Sequence, residues 1–404
     1  MNDPQPKGDE PNSGAGPLIF LIAGEPSGDM LGARLMAALR QRTGGRVRFA
    51  GVGGETMVAA GLTSLVPIED LAVMGVAEVL PRARRIFRRV NETVAAVLSM
   101  RPDAVVTIDS SGFTWRVAQR LRGRGVTIPL IHYVAPMVWA WRAGRARRMA
   151  RWYDHLMTLL PFEPAYFEAA GLPCSYVGHP VVESGADRGN GAAFRARYRL
   201  PAEATIVAVL PGSRKGEVRR LMPIFAAALE RLRHRYPDLH AVVPTVSTVF
   251  GEVTAAVATW KIPAVVVRGT PEKYDAFAAS KVALAASGTV TLELALAGVP
   301  MIVAYRLNPL THWLLRRVVQ VDYITVLNLI LGRMAIPELI QNECNPERLA
   351  IEIARLIDDR PAYERQKAAF GEGLDLLGRG AISPGLRAAD QVLAIIGIPA
   401  IPGT

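Results

Sequence analysis

Short, continuous apolar runs that stop abruptly at small or acidic residues constrain the fold of this chain more than any other feature. Leu18–Ala23 (LIFLIA) stops at Gly24-Glu25-Pro26-Ser27-Gly28-Asp29, Ala104–Ile108 (AVVTI) stops at Asp109, and Thr205–Leu210 (TIVAVL) stops at Pro211-Gly212-Ser213-Arg214-Lys215-Gly216-Glu217. A run with no polar alternation, bounded by turn residues, reads as a strand buried on both faces. Val47–Val52, Ile128–Val134 and His155–Leu160 repeat the pattern in the first half, and Val242, Val265–Val267 and Val282–Ala286 mark strands in the second. Helical stretches separate them, the first capped by Asp29 and running to about Arg40, the last spanning about Pro384–Ile396. Strand, loop and helix in alternation predict an α/β fold, with parallel sheets covered by helices on both faces.

A chain of 404 residues is long for one such unit, and two domains are expected. The small, polar stretch Glu183–Ala193 (ESGADRGNGAA) is the expected linker. This gives a disordered tail over 1–17, a first domain over 18–182 and a second over 183–379. The tail lacks the basic start and apolar core of a signal peptide. No uncharged apolar run is long enough to span a bilayer. Cys174 and Cys344 are the only cysteines, which excludes a disulfide scaffold or a cysteine-rich zinc module. The expected location is the cytosol or a membrane face.

The formal charge of +11 calls for an anionic partner. It is concentrated. The apolar stretch Leu71–Leu80, which carries Val73, Met74 and Val76, precedes Arg82, Arg84, Arg85, Arg88 and Arg89, with no acid among those arginines. A second cluster, Arg142–Arg151, adjoins Trp139, Trp141 and Trp152. Apolar and indole groups beside arginines suit the headgroup layer of an anionic membrane. For the second cluster, plain solvated arginines are the alternative. No nucleic-acid-binding module is present, so nucleic acid is not an expected partner.

Open α/β sheets bind ligands at the carboxyl ends of their strands. Three loops lie there: the first holds Glu25, Ser27, Gly28 and Asp29, the second Gly212, Ser213 and Arg214, the third Ser287, Gly288 and Thr289. Small residues let backbone N–H groups approach an anion, and a following helix N-terminus adds partial positive charge. The same glycines equally make tight strand-to-helix turns. The loops match neither a P-loop nor Gly-x-Gly-x-x-Gly, which disfavours a dehydrogenase. Glu293 lies one helical turn beyond Thr289, placed either to hold a ribose diol or as an ordinary capping residue. Asp109, at a strand end, reads as a general base or as a helix cap. There is no Asp-x-Asp, and the six histidines are scattered, with His179 of Gly-His-Pro best read as structural. No metal and no cofactor is expected.

Taken together, these strings resemble the lipid-A-disaccharide synthase family. They are Ala23–Asp29, Leu71–Leu80, His132–Arg142, Leu160–Glu163, Gly178-His179, Leu210–Arg214, Ala286–Thr289 with Glu293, and Asp322-Tyr323 through Asn328, in the family's order. The resemblance implies an inverting family-19 glycosyltransferase with two Rossmann-like, doubly wound domains facing a cleft, the GT-B arrangement. The implied donor is UDP-2,3-diacylglucosamine. The implied acceptor is the 6-hydroxyl of 2,3-diacylglucosamine 1-phosphate, and the products are the tetraacyl disaccharide 1-phosphate and UDP. Asp109 matches the proposed base, Arg214 and Asn328 match residues important near the UDP site, and Glu293 matches the acid at the ribose. The first domain would take the acceptor and the cytoplasmic face of the inner membrane, and the second the UDP-sugar. The final helix, about 380–398, would return to the first domain. In one place the chain departs from the family. The matched acid is usually followed by Pro or Ala-Pro and then Asp-Phe, whereas here Ser110-Ser111-Gly112-Phe113 follows and the second acid is missing. A UDP-sugar epimerase of the same architecture and a non-catalytic nucleotide-sugar sensor at the membrane are the rival readings. A homo-oligomer stays open.

Overall fold

The computed structural model describes residues 16–71, 76–110, 112–139, 144–308 and 321–401, and side chains of the helix Val76–Met100 from Arg84 onward. Among these residues lie two six-stranded sheets, parallel in every pair. The first contains β1 (Leu18–Ala23), β2 (Arg48–Val52), β3 (Ala104–Ile108), β4 (Leu130–Tyr133), β5 (His155–Thr158) and β6 (Cys174–Tyr176), in the order β2-β1-β3-β4-β5-β6. The second contains β7 (Thr205–Leu210), β8 (Leu239–Thr245), β9 (Ala264–Arg268), β10 (Val282–Ala285), β11 (Met301–Tyr305) and β12 (Glu338–Ile340), in the order β12-β11-β10-β7-β8-β9. Each is a doubly wound Rossmann-like sheet, as the apolar runs predict.

Burial follows the strand period. In β1, Ile19, Leu21 and Ala23 join one core with Leu35, Met36 and Leu39 of the helix Pro26–Arg42, while Phe20 and Ile22 join another with Val90, Val94, Val97, Val117 and Leu121. All five β1 residues are fully buried, which is why the run carries no polar position. Around the second sheet, Val207 and Val209 pack with Leu221, Phe225 and Leu229 of the helix Lys215–Leu232.

The chain divides into two compact units, one holding residues 16–138, 144–178 and 382–401 of those described, the other Trp139 and the described residues of 179–381. The stretch Glu183–Ala193 is not a loose connector. Gly185 and Ala186 are buried, the Asn190 N–H donates to Asp275 at 2.7 Å, and the Asn190 side chain caps the helix Gly191–Arg197. Its small residues let it lie against the helix Thr270–Ala279. The expected disordered tail, 1–17, falls outside the described residues except for Gly16 and Pro17, whose carbonyls accept from Arg48 at 3.1 and 2.8 Å.

The helix Pro384–Ile395 belongs to the first unit. Ala388, Ala389, Val392 and Leu393 are fully buried in the core beneath β1, and Asp390 pairs with Arg42 through both carboxylate oxygens, at 2.7 and 2.9 Å. Leu393→Ala is expected to lower the unfolding free energy of this unit by about 2–5 kcal/mol. Denaturant titration checks this; a loss under about 1 kcal/mol would mean the helix is not part of the core.

Candidate active site

Strand order selects two places. In the first sheet the order reverses between β1 and β3, and in the second between β7 and β10. Loops leaving the carboxyl ends of such strand pairs diverge and open a crevice.

At the first reversal, the loop after β1 meets the loop after β3. A Cβ on Gly24 would stand 2.4 Å from the Ser110 hydroxyl, so only glycine allows this approach. Asp109 and Ser110 both adopt left-handed backbone angles, φ 49° and 46°. Two consecutive non-glycine residues there cost of order 1–3 kcal/mol each. The surroundings hold them: the Asp109 N–H donates to the Tyr133 carbonyl at 2.9 Å, and the Thr114 hydroxyl donates to the carbonyls of Asp109 and Ser110, both at 2.9 Å. The Asp109 carboxylate is half-buried. It accepts from the Ser110 N–H at 2.8 Å on one oxygen and from the Ser27 hydroxyl at 3.1 Å on the other. An ionised carboxylate offers about four lone-pair sites, so two remain for a substrate hydroxyl. Glu25 stands beside it, its carboxyl raised above the ordinary range by partial burial and then by the Asp109 charge. Beneath the loop, buried His132 bonds Thr107 at 2.7 Å, and burial pushes it down to about 3. It is a neutral structural group.

Two members of the β1 loop serve packing instead. Gly28 is buried against the end of β3. Asp29 is also buried, inside the first turn of the helix Pro26–Arg42 rather than at its cap. Its carboxylate accepts from the N–H groups of Gly54, Thr56 and Met57 at 2.7, 2.8 and 3.0 Å, and so caps the neighbouring helix Glu55–Ala59. That corrects the expectation of a cleft-loop Asp29: the orphan N–H groups of a second helix, distant in sequence, claim it.

At the second reversal lies a cavity of about 370 Å³. Gly212, Ser213, Arg214 and Glu217 wall it from the β7 loop, Thr245 and Val246 from the end of β8, Lys273 from the helix after β9, and Ser287, Gly288, Thr289 and Glu293 from beyond β10. Gly212 has φ 102°, and a Cβ there would meet the Glu217 carboxylate at 2.4 Å. Glu217 is buried and accepts from the Arg214 N–H at 3.3 Å, the Arg214 Nη1 at 3.1 Å and the Tyr305 hydroxyl at 3.2 Å. The Arg214 side chain remains 70% exposed, so most of its donors stay open to a ligand. Lys273 bridges both oxygens of Glu293. The Thr245 hydroxyl oxygen is buried with no hydrogen-bond partner among the described residues. Sequence reasoning missed Lys273 and Thr245, because a lysine in an ordinary helix and a threonine ending a strand carry no local signature.

Asn328 does not line this cavity. It is fully buried, its amide donates to the Ile336 carbonyl at 2.9 Å and to Glu338 at 2.8 Å, and its oxygen accepts from the N–H groups of Ala335 and Ile336 at 2.9 Å. This corrects the expectation of a direct UDP contact, since the side chain has no capacity left for one. Glu338 in turn accepts from Ile324 and Thr325, and the Ile324 carbonyl accepts from the Ser287 hydroxyl at 3.0 Å. Asn328 therefore braces the Ser287 wall at second hand.

The basic segment is divided as well. Val73 and Met74 lie outside the described residues, as do the side chains of Val76 and Arg82. Arg84, Arg85 and Arg88 are exposed, whereas Arg89 is half-buried and pairs with Asp70 at 2.7 Å and Glu92 at 2.8 Å. Arg89 ties the middle of its helix to Asp70 in the preceding segment, which corrects its expected membrane contact. Arg85 also reaches Asp70, at 3.2 Å, and Arg88 lies 3.6 Å from Glu92. Phe87 is 46% exposed, with the guanidinium groups of Arg116 and Arg120 5.8 and 5.4 Å from its ring centre.

Asn328→Ala strands the groups it satisfies, and a stability loss of about 1–3 kcal/mol is expected. Thermal melting with and without UDP checks this. Unchanged stability with lost UDP affinity would restore a direct contact.

Comparison with known proteins follows the same division. Solved structures of similar fold carry little sequence likeness: a putative UDP-N-acetylglucosamine 2-epimerase from Listeria monocytogenes superposes with a TM-score of 0.64 at 14% identity, over 94% of this chain and 96% of that one. MurG from Acinetobacter baumannii gives 0.53 at 16%, over 94% and 99%. These show two Rossmann-like domains of the GT-B kind. Sequence separates what fold does not. The chain is 56% identical to a lipid-A-disaccharide synthase of Rhodospirillum centenum over 94% of each chain, and 51% identical to one of Paramagnetospirillum magneticum over 94% of this chain and 97% of that one. The lipid-A-disaccharide synthetase profile matches residues 19–378, and the chain belongs to that family.

Proposed function

We propose that the chain is an inverting glycosyltransferase, a lipid-A-disaccharide synthase. It moves 2,3-diacylglucosamine from its UDP ester to the 6-hydroxyl of 2,3-diacylglucosamine 1-phosphate, giving the tetraacyl disaccharide 1-phosphate and UDP. The observation that carries the reading is the Asp109 carboxylate, braced in a strained turn with lone pairs to spare, in a chain alike to synthases over nearly its whole length. The epimerases share the fold but not the sequence.

In this reading Asp109 accepts the proton of the acceptor hydroxyl as its oxygen attacks the sugar's anomeric carbon. The bond to the diphosphate breaks on the opposite face, and UDP departs with both electrons. Negative charge then grows on the diphosphate. Arg214, the first turn of the helix Lys215–Leu232 and the Ser287–Thr289 loop supply the opposing charge and donors. Solved structures with the same fold are described with UDP or UDP-glucose bound, which supports the cavity as the nucleotide site. Both substrates carry acyl chains. Exposed Arg84, Arg85 and Arg88, with Phe87 between Arg116 and Arg120, suit an anionic lipid surface, here the cytoplasmic face of the inner membrane. No helix among the described residues is long and apolar enough to cross a membrane.

Incubation with the two lipid sugars and mass analysis of the product tests the reaction. Asp109→Asn is expected to cut disaccharide formation by about 10²–10⁴-fold with UDP still bound, and Arg214→Ala by about 100-fold or more. Unchanged turnover in D109N would remove Asp109 as base. An epimerised nucleotide sugar with no disaccharide would favour the epimerase, and binding with no product the sensor. Replacing Arg84 and Arg88 together by Ala is expected to weaken binding to vesicles containing anionic phospholipid by on the order of tenfold. Unaltered vesicle binding would mean those arginines face only solvent.

A further inference from the structure

We infer that Lys273 and Glu293 act as a donor–acceptor pair that recognises the two adjacent hydroxyls of the nucleotide's ribose, so that Lys273, and not the carboxylate alone, selects a ribonucleotide over its 2′-deoxy form. The inference rests on the reading of the second-unit cavity as the UDP site and adds to it a residue that no sequence motif marks.

The hydrogen bonds set the pair up. Lys273 Nζ donates to Glu293 Oε1 at 2.9 Å and to Oε2 at 2.8 Å. The Tyr274 hydroxyl donates to Oε1 at 3.0 Å. Both side chains are withdrawn from solvent, Lys273 to 23% and Glu293 to 17% exposure, and both line the cavity. A carboxylate has about four acceptor sites and an ammonium three donors. Oε1 already takes two donors and Oε2 one, so the open acceptor site belongs to Oε2. Two of the ammonium's donors are spent on Glu293, and Nζ also lies 4.9 Å from the centre of the Tyr274 ring. No other N or O acceptor among the described residues is bonded to it, so its third N–H stays open to a stronger acceptor than a ring face.

A lone carboxylate reads a diol by accepting from both hydroxyls. Here Oε1 has no room for that. The pair instead offers one acceptor, at Oε2, and one donor, at Nζ, 2.8 Å apart. That is of the order of the spacing between hydroxyl oxygens on neighbouring ring carbons. One hydroxyl donates to Oε2 while the other accepts from Nζ. The ammonium also cancels the carboxylate's charge in a cavity that must admit a diphosphate, where a bare carboxylate would repel it. Removing one hydroxyl leaves one half of a desolvated, charged pair without its partner, which is how a polar site rejects the deoxy analogue.

The test compares UDP with 2′-deoxy-UDP by calorimetric titration in the wild type, Lys273→Met, Glu293→Gln and Tyr274→Phe, each first shown by melting to fold. The wild type is expected to prefer UDP by about tenfold to a hundredfold. K273M is expected to bring that ratio below about threefold, E293Q to do the same, and Y274F to keep it. If K273M does not fold, K273Q carries the same comparison. A K273M variant that weakens both nucleotides equally and keeps the full ratio would overturn the inference, because a merely structural ion pair does that. A wild type that binds UDP with a ratio near one would overturn it while leaving the cavity as the nucleotide site. A wild type that does not bind UDP would remove the cavity reading itself.

Discussion

The reversal of strand order in each parallel sheet is the constraint on which the rest depends. β1 has β2 on one side and β3 on the other, and β7 has β8 and β10. Helices that follow neighbouring strands across such a reversal must lie on opposite faces, so the loops between strand and helix part and leave polar backbone exposed. Asp109 and Ser27 stand at the first gap. Arg214, Ser287 and Glu293 stand at the second. The strands that lead into these loops are largely buried on both faces and mostly apolar, so each loop leaves from a packed sheet.

Charge is prearranged at both gaps. In the second unit each carboxylate facing the cavity carries its own cation, Glu217 with Arg214 and Glu293 with Lys273. A cavity meant for a diphosphate then presents donors without a net repelling charge. In the first unit the arrangement is the opposite. Asp109 has no cation on it among the described residues; it has a serine hydroxyl, a backbone N–H and the nearby Glu25. Those neutral donors orient the carboxylate and leave lone pairs open toward an acceptor hydroxyl, as a general base requires. The left-handed backbone at Asp109 and Ser110 is held in place by the Tyr133 carbonyl and the Thr114 hydroxyl.

What the sequence made legible was whatever local pattern determines. Fully buried strands show as unbroken apolar runs, so the two sheets and most strand positions follow from LIFLIA, AVVTI and TIVAVL. The loops at their carboxyl ends follow from the abrupt change to Gly, Ser and Asp. What stayed hidden depends on partners far along the chain. Asp29 resembles a cleft acid until residues 54–57 claim it. Asn328 resembles a ligand contact until Glu338 and Ile336 saturate it. Arg89 resembles the other arginines of the basic cluster until partial burial and pairing with both Asp70 and Glu92 withdraw it from the surface. The Glu183–Ala193 stretch has the composition of a linker, yet small residues serve close packing as well as flexibility, and composition does not separate the two. Lys273 enters the cavity only because the sheet order brings the helix after β9 beside β10's loop.

The central claim is a single displacement at the sugar's anomeric carbon, with a carboxylate taking the acceptor's proton as the nucleotide leaves from the far side. The anomeric configuration of the disaccharide made from the two lipid sugars, read by proton NMR coupling, tests it most directly. The account predicts a configuration inverted from that of the donor. A retained configuration, or a 1:1 mixture of anomers, would contradict it.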